Sequence, residues 1–248
     1  MLKNRIIPIL TFNGLGLVKT KGFKNPRMVG NPVQTARVFN SRGVDELIFL
    51  DIYATKQSRK INLSLVKEVI KECYMPVSIG GGIQTIDQIN DLLKIGADKV
   101  VIKSKALTDK KFLKEAINFF GSQCICISVD VLFVNNNYLI YNDLGLKISL
   151  EEFITEMSLI NAGELLVNSV NNDGVMNGFD IDLINKVEQM TTIPVIAAGG
   201  GGEPEHYSTL FNKTKINAVA SSSIFHFTQY TPLDIKNELK KFNFPVRT

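Results

Sequence analysis

The chain has 248 residues, of which 45% are hydrophobic and 21% are charged, and its formal net charge is +4. This composition is typical of a globular protein and excludes a disordered chain. The positive charge is small and forms no stripe, which argues against a nucleic-acid-binding protein. No apolar run reaches the roughly 18–20 residues of a membrane helix, and the N-terminus lacks a signal-peptide core. We therefore expect a soluble, cytoplasmic protein that binds neither membranes nor nucleic acid.

Eight short apolar runs alternate with amphipathic segments along the chain. The runs are Arg5–Leu10, Glu46–Asp51, Pro76–Ile79, Lys99–Ile102, Cys124–Asp130, Glu164–Asn168, Pro194–Ala198 and Ala218–Ser221. The amphipathic segments include Pro32–Ser41, Leu63–Glu72, Ile86–Ile95 and Lys110–Phe119. Nearly continuous apolar runs are typical of parallel strands buried on both faces.

Eight such units of about 31 residues each predict one (β/α)8 barrel domain over residues 1–248, with its active site at the carboxyl ends of the strands. An open, doubly wound sheet is the alternative fold. It would carry a full glycine-rich loop after the first strand, and Asn13–Gly16 is too short for one.

An internal repeat divides the predicted barrel in two. Glu46–Asp51 resembles Glu164–Ser169, and Met75–Gly82 resembles Ile193–Gly200, both at a shift of 118 residues. The repeat predicts two half-barrels, about 1–121 and 122–248, with equivalent loops on opposite sides of the mouth.

Glycine clusters stand between a strand and a helix at equivalent places in the two halves, at Gly80–Gly82 and Gly199–Gly202. Bare backbone N–H groups at a helix start suit an anion. The strands that follow end in Lys103–Lys105 and Ser221–Ser223. We expect a small-molecule ligand with a phosphate at each end; simple strand-to-helix turns are the alternative.

Three cysteines, Cys73, Cys124 and Cys126, cannot all pair, and we expect reduced, buried thiols, with Cys124 and Cys126 on opposite faces of one strand. No cluster of side chains has the spacing of metal ligands, so we expect neither a metal nor a cofactor.

The remaining ionisable side chains receive structural interpretations. His206 and His226 flank predicted helices, and we interpret both as structural. Lys236, Lys240 and Lys241 are expected on the solvent-facing surface of the last helix.

Motifs spread over the whole chain resemble the cyclase subunit of imidazole glycerol phosphate synthase. They are Arg5–Pro8, Gly30–Val33, Asp45–Ile52, Gly80–Ile83, Gly96–Val100, Phe120–Cys124, Asn172–Gly174, Pro204–His206 and Phe225–His226. The resemblance implies a (β/α)8 barrel paired with a glutaminase subunit. Its expected reaction takes a bis-phosphorylated ribulosyl aminoimidazole carboxamide nucleotide and ammonia to imidazole glycerol phosphate and an aminoimidazole carboxamide ribotide.

The resemblance also implies two catalytic aspartates, at the ends of the first and fifth strands. Asp130 matches one of them, whereas Thr11 stands where the other is expected. The internal repeat pairs the same two positions, 119 residues apart. Because a threonine hydroxyl cannot carry a proton near pH 7, we expect impaired or altered catalysis. Asp51, at the end of the second strand, either supports the site or takes part directly.

Substrate and phosphate contacts are likewise implied by the resemblance. The expected contact residues are Lys19, Gly82, Lys103, Ser104, Asn168, Asp173, Gly174, Gly200, Ser222 and Ser223. Three positions depart from the family's pattern: Lys103 replaces an asparagine, Asn168 a threonine, and Leu132 a basic residue. In the loop after the first strand, Lys19 alone remains of the expected basic residues.

At the opposite end of the barrel, the resemblance implies an ammonia gate made of Arg5, Glu46, Lys99 and Glu164, with Asp98 at the glutaminase interface. Charged side chains on apolar strands are costly unless they pair, so a ring of alternating charge is expected. A plug that only closes the barrel is the alternative.

Two functions remain open. In the first, the chain is a divergent paralogue that receives ammonia from a glutaminase and conducts it to a separate synthetase, for example in nucleotide-sugar or surface-glycan amidation. In the second, it is an active cyclase of histidine biosynthesis. The lost carboxylate at Thr11 favours the first.

Overall fold

The computed structural model describes residues 2–247 and has a closed barrel of eight parallel strands surrounded by helices. The barrel strands are β1 (Arg5–Phe12), β4 (Leu47–Asp51), β5 (Val77–Gly80), β6 (Lys99–Ile102), β7 (Ile125–Val134), β9 (Glu164–Ser169), β10 (Val195–Ala198) and β11 (Ala218–Ser221). They pair in chain order, and β11 returns to β1, where Arg5 lies opposite Ala218. The predicted (β/α)8 barrel is confirmed, and the doubly wound alternative is wrong. The boundaries of the two half-barrels stay a prediction.

Ten helices follow the strands in the described part of the chain. They are α1 (Pro32–Ser41), α2 (Leu63–Lys71), α3 (Ile86–Lys94), α4 (Ser104–Thr108), α5 (Lys110–Phe120), α6 (Leu150–Ile160), α7 (Ile181–Met190), α8 (Pro204–Lys213), α9 (Ser223–Phe227) and α10 (Pro232–Lys241). Several start at side chains that cap the free N–H groups of the first turn, as Asn31, Thr85 and Ser149 do. The four helices predicted from periodicity are all present.

Two hairpins on the carboxyl-terminal face were not predicted. β2 (Leu17–Lys21) and β3 (Lys24–Gly30) form one after β1. β7 runs past the barrel wall and pairs with β8 (Asn137–Ile140) in the other. Their turns contain non-glycine residues with positive φ, such as Asn135 and Asn136, which tolerate this conformation.

The apolar interior has two parts. The larger core lies between the strands and the surrounding helices. A smaller cluster fills the inside of the barrel, and it includes Ile7, Ile48, Val101, Cys126, Leu166 and Ile196. Successive side chains of a strand point to opposite faces, so one set of side chains faces the helices and the other faces the inside of the barrel. The barrel interior between its two ends is therefore mostly apolar, with the buried Ser78 and Ser128 beside Ile48 and Leu166.

Two predictions, for Lys236 and for Cys124, are wrong. Lys236 is 4% exposed, and its Nζ donates to Asp45 Oδ1 at 2.9 Å and to the carbonyl of Gly43 at 2.8 Å. The helix pattern predicted that Lys236 is on the surface, but α10 packs against the amino-terminal end of β1. Cys124 lies in a 3₁₀ turn before β7 and is half-buried, so only Cys126 points from the strand itself.

The described residues contain no helix long and apolar enough to cross a membrane. They also hold no group of three or more His, Cys, Asp or Glu side chains that could bind a metal ion.

Candidate functional site

The expected ligand-contacting residues meet in one cavity of about 620 Å³ at the carboxyl ends of the strands. Its lining includes every residue that the resemblance implied for substrate or phosphate contact, together with Thr11, Asp51 and Asp130. This volume lies within the usual range for small-molecule sites. The equivalent loops of the two halves contribute to the same mouth.

The two glycine loops adopt backbone conformations that require glycine. Gly81 and Gly82 have φ values of 127° and 66°, and Gly199 and Gly200 have 88° and 112°. A Cβ on Gly81 would lie 2.5 Å from the carbonyl oxygen of Asp51, and one on Gly200 would lie 2.0 Å from that of Gly178. Side chains are excluded there on both grounds, which leaves backbone at the cavity wall.

Asp130 is held by two neighbouring side chains. Lys103 Nζ forms an ion pair with Oδ2, and Asn168 Nδ2 donates to Oδ1 at 3.3 Å. Burial opposes the charge of Lys103, but the adjacent Asp130 carboxylate outweighs it and raises the pKa of the lysine. The one carboxylate that matches a catalytic aspartate is therefore already paired with a cation.

Thr11 lies beside a buried lysine. Its Oγ1 donates to the carbonyl of Val18 and accepts from Lys19 Nζ at 3.0 Å. Lys19 Nζ also donates to the carbonyl of Ile9 at 3.1 Å. Burial lowers the pKa of Lys19 to about 7, against the opposing effect of Asp173.

Two aromatic side chains complete the mouth, and sequence reasoning missed both. The rings of Phe23 and Tyr141 meet edge to face at 5.4 Å. Lys103 Nζ lies 5.8 Å from the first ring centroid and 5.7 Å from the second. Such cation–π contacts add to the ion pair with Asp130 in fixing the ammonium group. The residues come from separate hairpins, so no local sequence signal joins them.

The β2–β3 hairpin is fastened across the mouth to the loop after β9. Thr20 Oγ1 donates to Asp173 Oδ2 at 3.0 Å, and the Gly22 N–H donates to the carbonyl of Asp173 at 2.8 Å. Burial raises the pKa of Asp173. At Gly174, where φ is 68°, a Cβ would lie 2.2 Å from the carbonyl oxygen of Thr20.

Asp51 is engaged by its surroundings. Arg59 pairs with both of its oxygens, one of them at 2.7 Å from Nη2, and the N–H of Ala54 donates to Oδ1 at 3.1 Å. Arg59 was not among the predicted site residues. These contacts favour the supporting interpretation of Asp51.

The two histidines have different surroundings. His206 Nδ1 accepts from the N–H of Gly202 at 3.2 Å, which fixes the second glycine loop. His226 Nε2 is buried without a hydrogen-bond partner among the described residues. Burial, with a smaller effect of the nearby Lys19 charge, lowers the pKa of His226 to about 4. The imidazole is neutral at pH 7.

At the amino-terminal end of the barrel, four charged side chains form a closed ring. Arg5 donates to Glu46 at 2.7 Å and to Glu164 at 2.6 Å. Lys99 Nζ lies 2.7 Å from Glu164 and 3.5 Å from Glu46. Although burial opposes both cations, the two glutamates raise the pKa of Arg5 and of Lys99. The expected alternation of charge is present.

Asp98 lies next to this ring, at the start of β6, and its side chain is exposed. Its Oδ2 accepts from the N–H of Val77 at 2.8 Å. One carboxylate oxygen therefore binds the first N–H group of β5, and the residue is exposed to solvent on the amino-terminal face.

Comparison with known proteins agrees with this geometry. A family model described as "Histidine biosynthesis protein" matches residues 5–231. The imidazole glycerol phosphate synthase subunit HisF of Staphylococcus saprophyticus is 41% identical over 252 residues, and that of Streptococcus mutans is 38% identical over 251; each alignment covers the full length of both chains. A Campylobacter jejuni protein, provisionally named imidazole glycerol phosphate synthase subunit hisF2, is 43% identical over 249 residues, covering all of this chain and 99% of the relative. The chain belongs to the histidine biosynthesis protein family, together with the HisF subunits of imidazole glycerol phosphate synthase.

Proposed function

We propose that this chain is the barrel subunit of a glutamine-dependent amidotransferase. It receives ammonia from a glutaminase docked on the amino-terminal face and conducts it through the barrel to the mouth, from which a separate synthetase takes it. In this proposal the chain is a divergent paralogue whose own cyclase reaction is impaired.

The observation that carries the proposal is the contrast between the two ends of the barrel. At the amino-terminal end, all four charges of the expected gate are present and paired, with Asp98 exposed beside them. At the mouth, the expected pair of carboxylates is reduced to Asp130, which is bound to Lys103. An intact entrance with an altered mouth favours passage of ammonia over chemistry at the mouth.

The barrel interior supports passage of a small neutral molecule. Most side chains between the gate and the mouth are apolar, and Ala198, Ala218 and Ala220 among them leave more room than larger residues would. The buried serines Ser78 and Ser128 lie in register with the inward-facing Ile48 and Leu166 and add two small, uncharged side chains. Neutral ammonia crosses such an interior at far lower cost than an ammonium ion, since burial penalises charge. Cys126, above the gate, is an inert part of this wall because burial raises the pKa of its thiol.

Exposed apolar side chains on the amino-terminal face support a docked protein there. Leu2 is 78% exposed, Tyr74 is 93% exposed and Phe119 is 71% exposed. Large exposed apolar residues near one face are typical of a protein interface. The names of the relatives describe each of them as a subunit, which agrees with a partner.

An active cyclase of histidine biosynthesis is the second candidate function. It is supported by 41% identity over the full length to a HisF subunit and by the two glycine loops at the mouth, which suit a ligand with two phosphate groups. Lys19, Ser104, Ser222 and Ser223 line the same cavity and offer further donors. A phosphorylated ligand is compatible with both candidate functions.

The test measures glutaminase activity of the partner subunit alone and with this chain, together with complex formation by analytical ultracentrifugation. We expect a 1:1 complex and stimulated glutamine hydrolysis. Asp98→Ala should weaken the complex, whereas Lys99→Ala should leave it assembled and uncouple hydrolysis from ammonia delivery. The absence of both complex and stimulation would overturn the proposal.

A cyclase assay at saturating ammonium separates the two candidates, because it bypasses the glutaminase. The conduit function predicts turnover far below that of a HisF subunit with both carboxylates. Turnover equal to that of such a subunit would establish the second candidate instead.

A further inference from the structure

Lys19 differs from Lys236, the other buried cation among the described residues, in having no carboxylate partner. It is 4% exposed, and no Asp or Glu oxygen among the described residues lies within 4.0 Å of its Nζ. By contrast, the buried Lys236 pairs with Asp45, and Lys103 pairs with Asp130. A buried ammonium without a counter-charge is costly, so this site disfavours the charged form.

The hydrogen bonds around Lys19 match a neutral amine. A neutral amine has two N–H donors and one lone pair, whereas an ammonium group has three donors and no lone pair. The surroundings provide two acceptors, the carbonyl of Ile9 at 3.1 Å and Thr11 Oγ1 at 3.0 Å. Since Thr11 Oγ1 gives its own proton to Val18, it must accept from the lysine. Among residues 2–247, the nitrogen has no third hydrogen-bond partner.

The neighbouring ionisable groups are Asp173 from the loop after β9 and His226 from α9. The Asp173 carboxylate favours the charged lysine but is occupied by Thr20, and its own pKa is raised by burial. His226 is neutral, since the pKa of its imidazole is lowered to about 4. Burial dominates, and the pKa of Lys19 falls to about 7.

We propose that Lys19 is the proton acceptor of the mouth and takes the place of the carboxylate that Thr11 lacks. Lys19 lines the ligand cavity, and its side chain ends on Thr11 itself. The lone pair of Nζ takes a proton from a bound ligand, whose bonding electrons stay on the ligand, and the amine becomes an ammonium group. That group keeps its bonds to Ile9 and Thr11 and returns the third proton in a later step. The inference concerns the ligand bound at the mouth and does not depend on ammonia transfer to a synthetase.

The first test is a pH titration of Lys19 in the intact protein, monitored by NMR of ¹³C-labelled lysine side chains. The Lys19 signal is identified by its loss in Lys19→Met. We expect a midpoint near 7. A midpoint near 10.5, the ordinary lysine value, would overturn the proposal. Glutaminase binding plays no part in this measurement. A failure of the Lys19 inference can therefore be distinguished from a failure of the proposed function.

Thr11→Asp provides a matched test of the same geometry. A carboxylate at position 11 would give Lys19 the counter-charge that it lacks, so we expect its titration midpoint to rise by at least one pH unit. An unchanged midpoint would show that the two side chains do not share a site.

The second test asks whether the amine acts on ligands. Pyridoxal 5′-phosphate carries an aldehyde, which reacts only with a neutral amine, and a phosphate, which suits the glycine loops. The amine and the aldehyde form an imine with loss of water, and borohydride reduces this imine to a stable amine. At pH 7 we expect such labelling at Lys19 to be at least ten times faster than at Lys103, whose ammonium group is bound to Asp130. Equal labelling of the two lysines, or labelling of Lys103 alone, would overturn the inference.

Cyclase turnover gives the third measurement, at saturating ammonium with the bis-phosphorylated nucleotide. We expect whatever turnover the unmodified chain shows to rise with pH through about 7, and Lys19→Met to lower it about 10²–10⁴-fold. Lys19→Arg, which keeps a positive charge without an available lone pair, should not rescue it. Rescue by arginine would make Lys19 a binding group only and would refute the proposal.

Discussion

Both carboxylate oxygens of Asp130 are already occupied, one by Lys103 and the other by Asn168. A general acid or base must exchange a proton with its ligand, and here Lys103 and Asn168 already contact the two oxygens that would do so. Relative to the mouth that the family resemblance implies, two differences are expected to matter for chemistry: Thr11 stands where a second carboxylate is expected, and Lys103 pairs with Asp130.

Reversing only one of these two differences should therefore raise cyclase turnover very little. We expect Thr11→Asp alone to give at most a trace of cyclase turnover, because Lys103 still holds Asp130. The double change Thr11→Asp with Lys103→Asn should exceed either single variant by about 10²-fold or more, the usual effect of a positioned acid–base group. The measurement is ammonium-dependent consumption of the bis-phosphorylated nucleotide. Additive, equally small effects of the two changes would show that Lys103 does not suppress Asp130.

His226 makes the stability of the fold depend on pH. Its pKa falls from 6.5 in the unfolded chain to about 4 in the fold, so between these values the unfolded chain binds more protons. Stability from this residue is fully present above pH 6.5 and is lost as the pH falls toward 4.

His226→Gln removes that titration. We expect the free energy of unfolding of the unmodified protein to fall by at most about 1.4 kcal/mol per pH unit more steeply than that of the variant over this range. Urea unfolding at pH 4.5, 5.5 and 7 measures the difference. Parallel pH profiles for the two proteins would contradict a half-buried imidazole that stays neutral in the fold.

At the scale of elements, sequence periodicity located all eight barrel strands and the four named helices, since those patterns come from burial on regular faces. The β2–β3 and β7–β8 hairpins were missed because their residues are held by distant partners. Phe23, for example, packs on Tyr141, and Thr20 bonds Asp173. The same limit applies to the site. The residues predicted from the glycine loops and strand ends line one cavity, whereas the pairing of Arg59 with Asp51 depends on how a loop folds back.

The fastening of the β2–β3 hairpin can be tested at Gly174. Both Gly174 and Gly145 have positive φ, 68° and 71°, but a Cβ meets the Thr20 carbonyl at the first and nothing within 4 Å at the second. Alanine at Gly145 therefore reports the backbone cost alone, about 1–2 kcal/mol.

Gly174→Ala should add a steric clash that displaces the hairpin. We expect faster tryptic cleavage after the exposed Lys21, Lys24 and Arg27 in Gly174→Ala, and an unchanged cleavage pattern in Gly145→Ala. Equal cleavage of these sites in both variants would mean that the contact between Thr20 and Gly174 does not hold the hairpin in place.

At the scale of the whole molecule, the barrel closes where the last strand meets the first, and α10 reinforces this seam. The buried ion pair of Lys236 and Asp45 joins α10 to the segment before β4, and Asp45 Oδ2 also accepts from the N–H of Ile6 in β1 at 2.9 Å. Sequence periodicity could not identify this lysine as buried, because its partner lies 191 residues away. The Asp45 carboxylate therefore binds residues from both the first strand and the last helix of the chain.

Lys236→Met should therefore destabilise the whole barrel. Methionine fills much of the space but leaves the Asp45 carboxylate buried without its cation, and breaking such a pair typically costs about 3–5 kcal/mol. Lys240→Met, on the exposed side of the same helix, is the matched control and should change stability little. Guanidinium unfolding followed by circular dichroism measures both variants. Since the seam closes the barrel, we expect Lys236→Met to lower the midpoint of a single transition; a separate early transition would instead show that α10 detaches on its own, and an unchanged midpoint would show that the ion pair does not stabilise the seam.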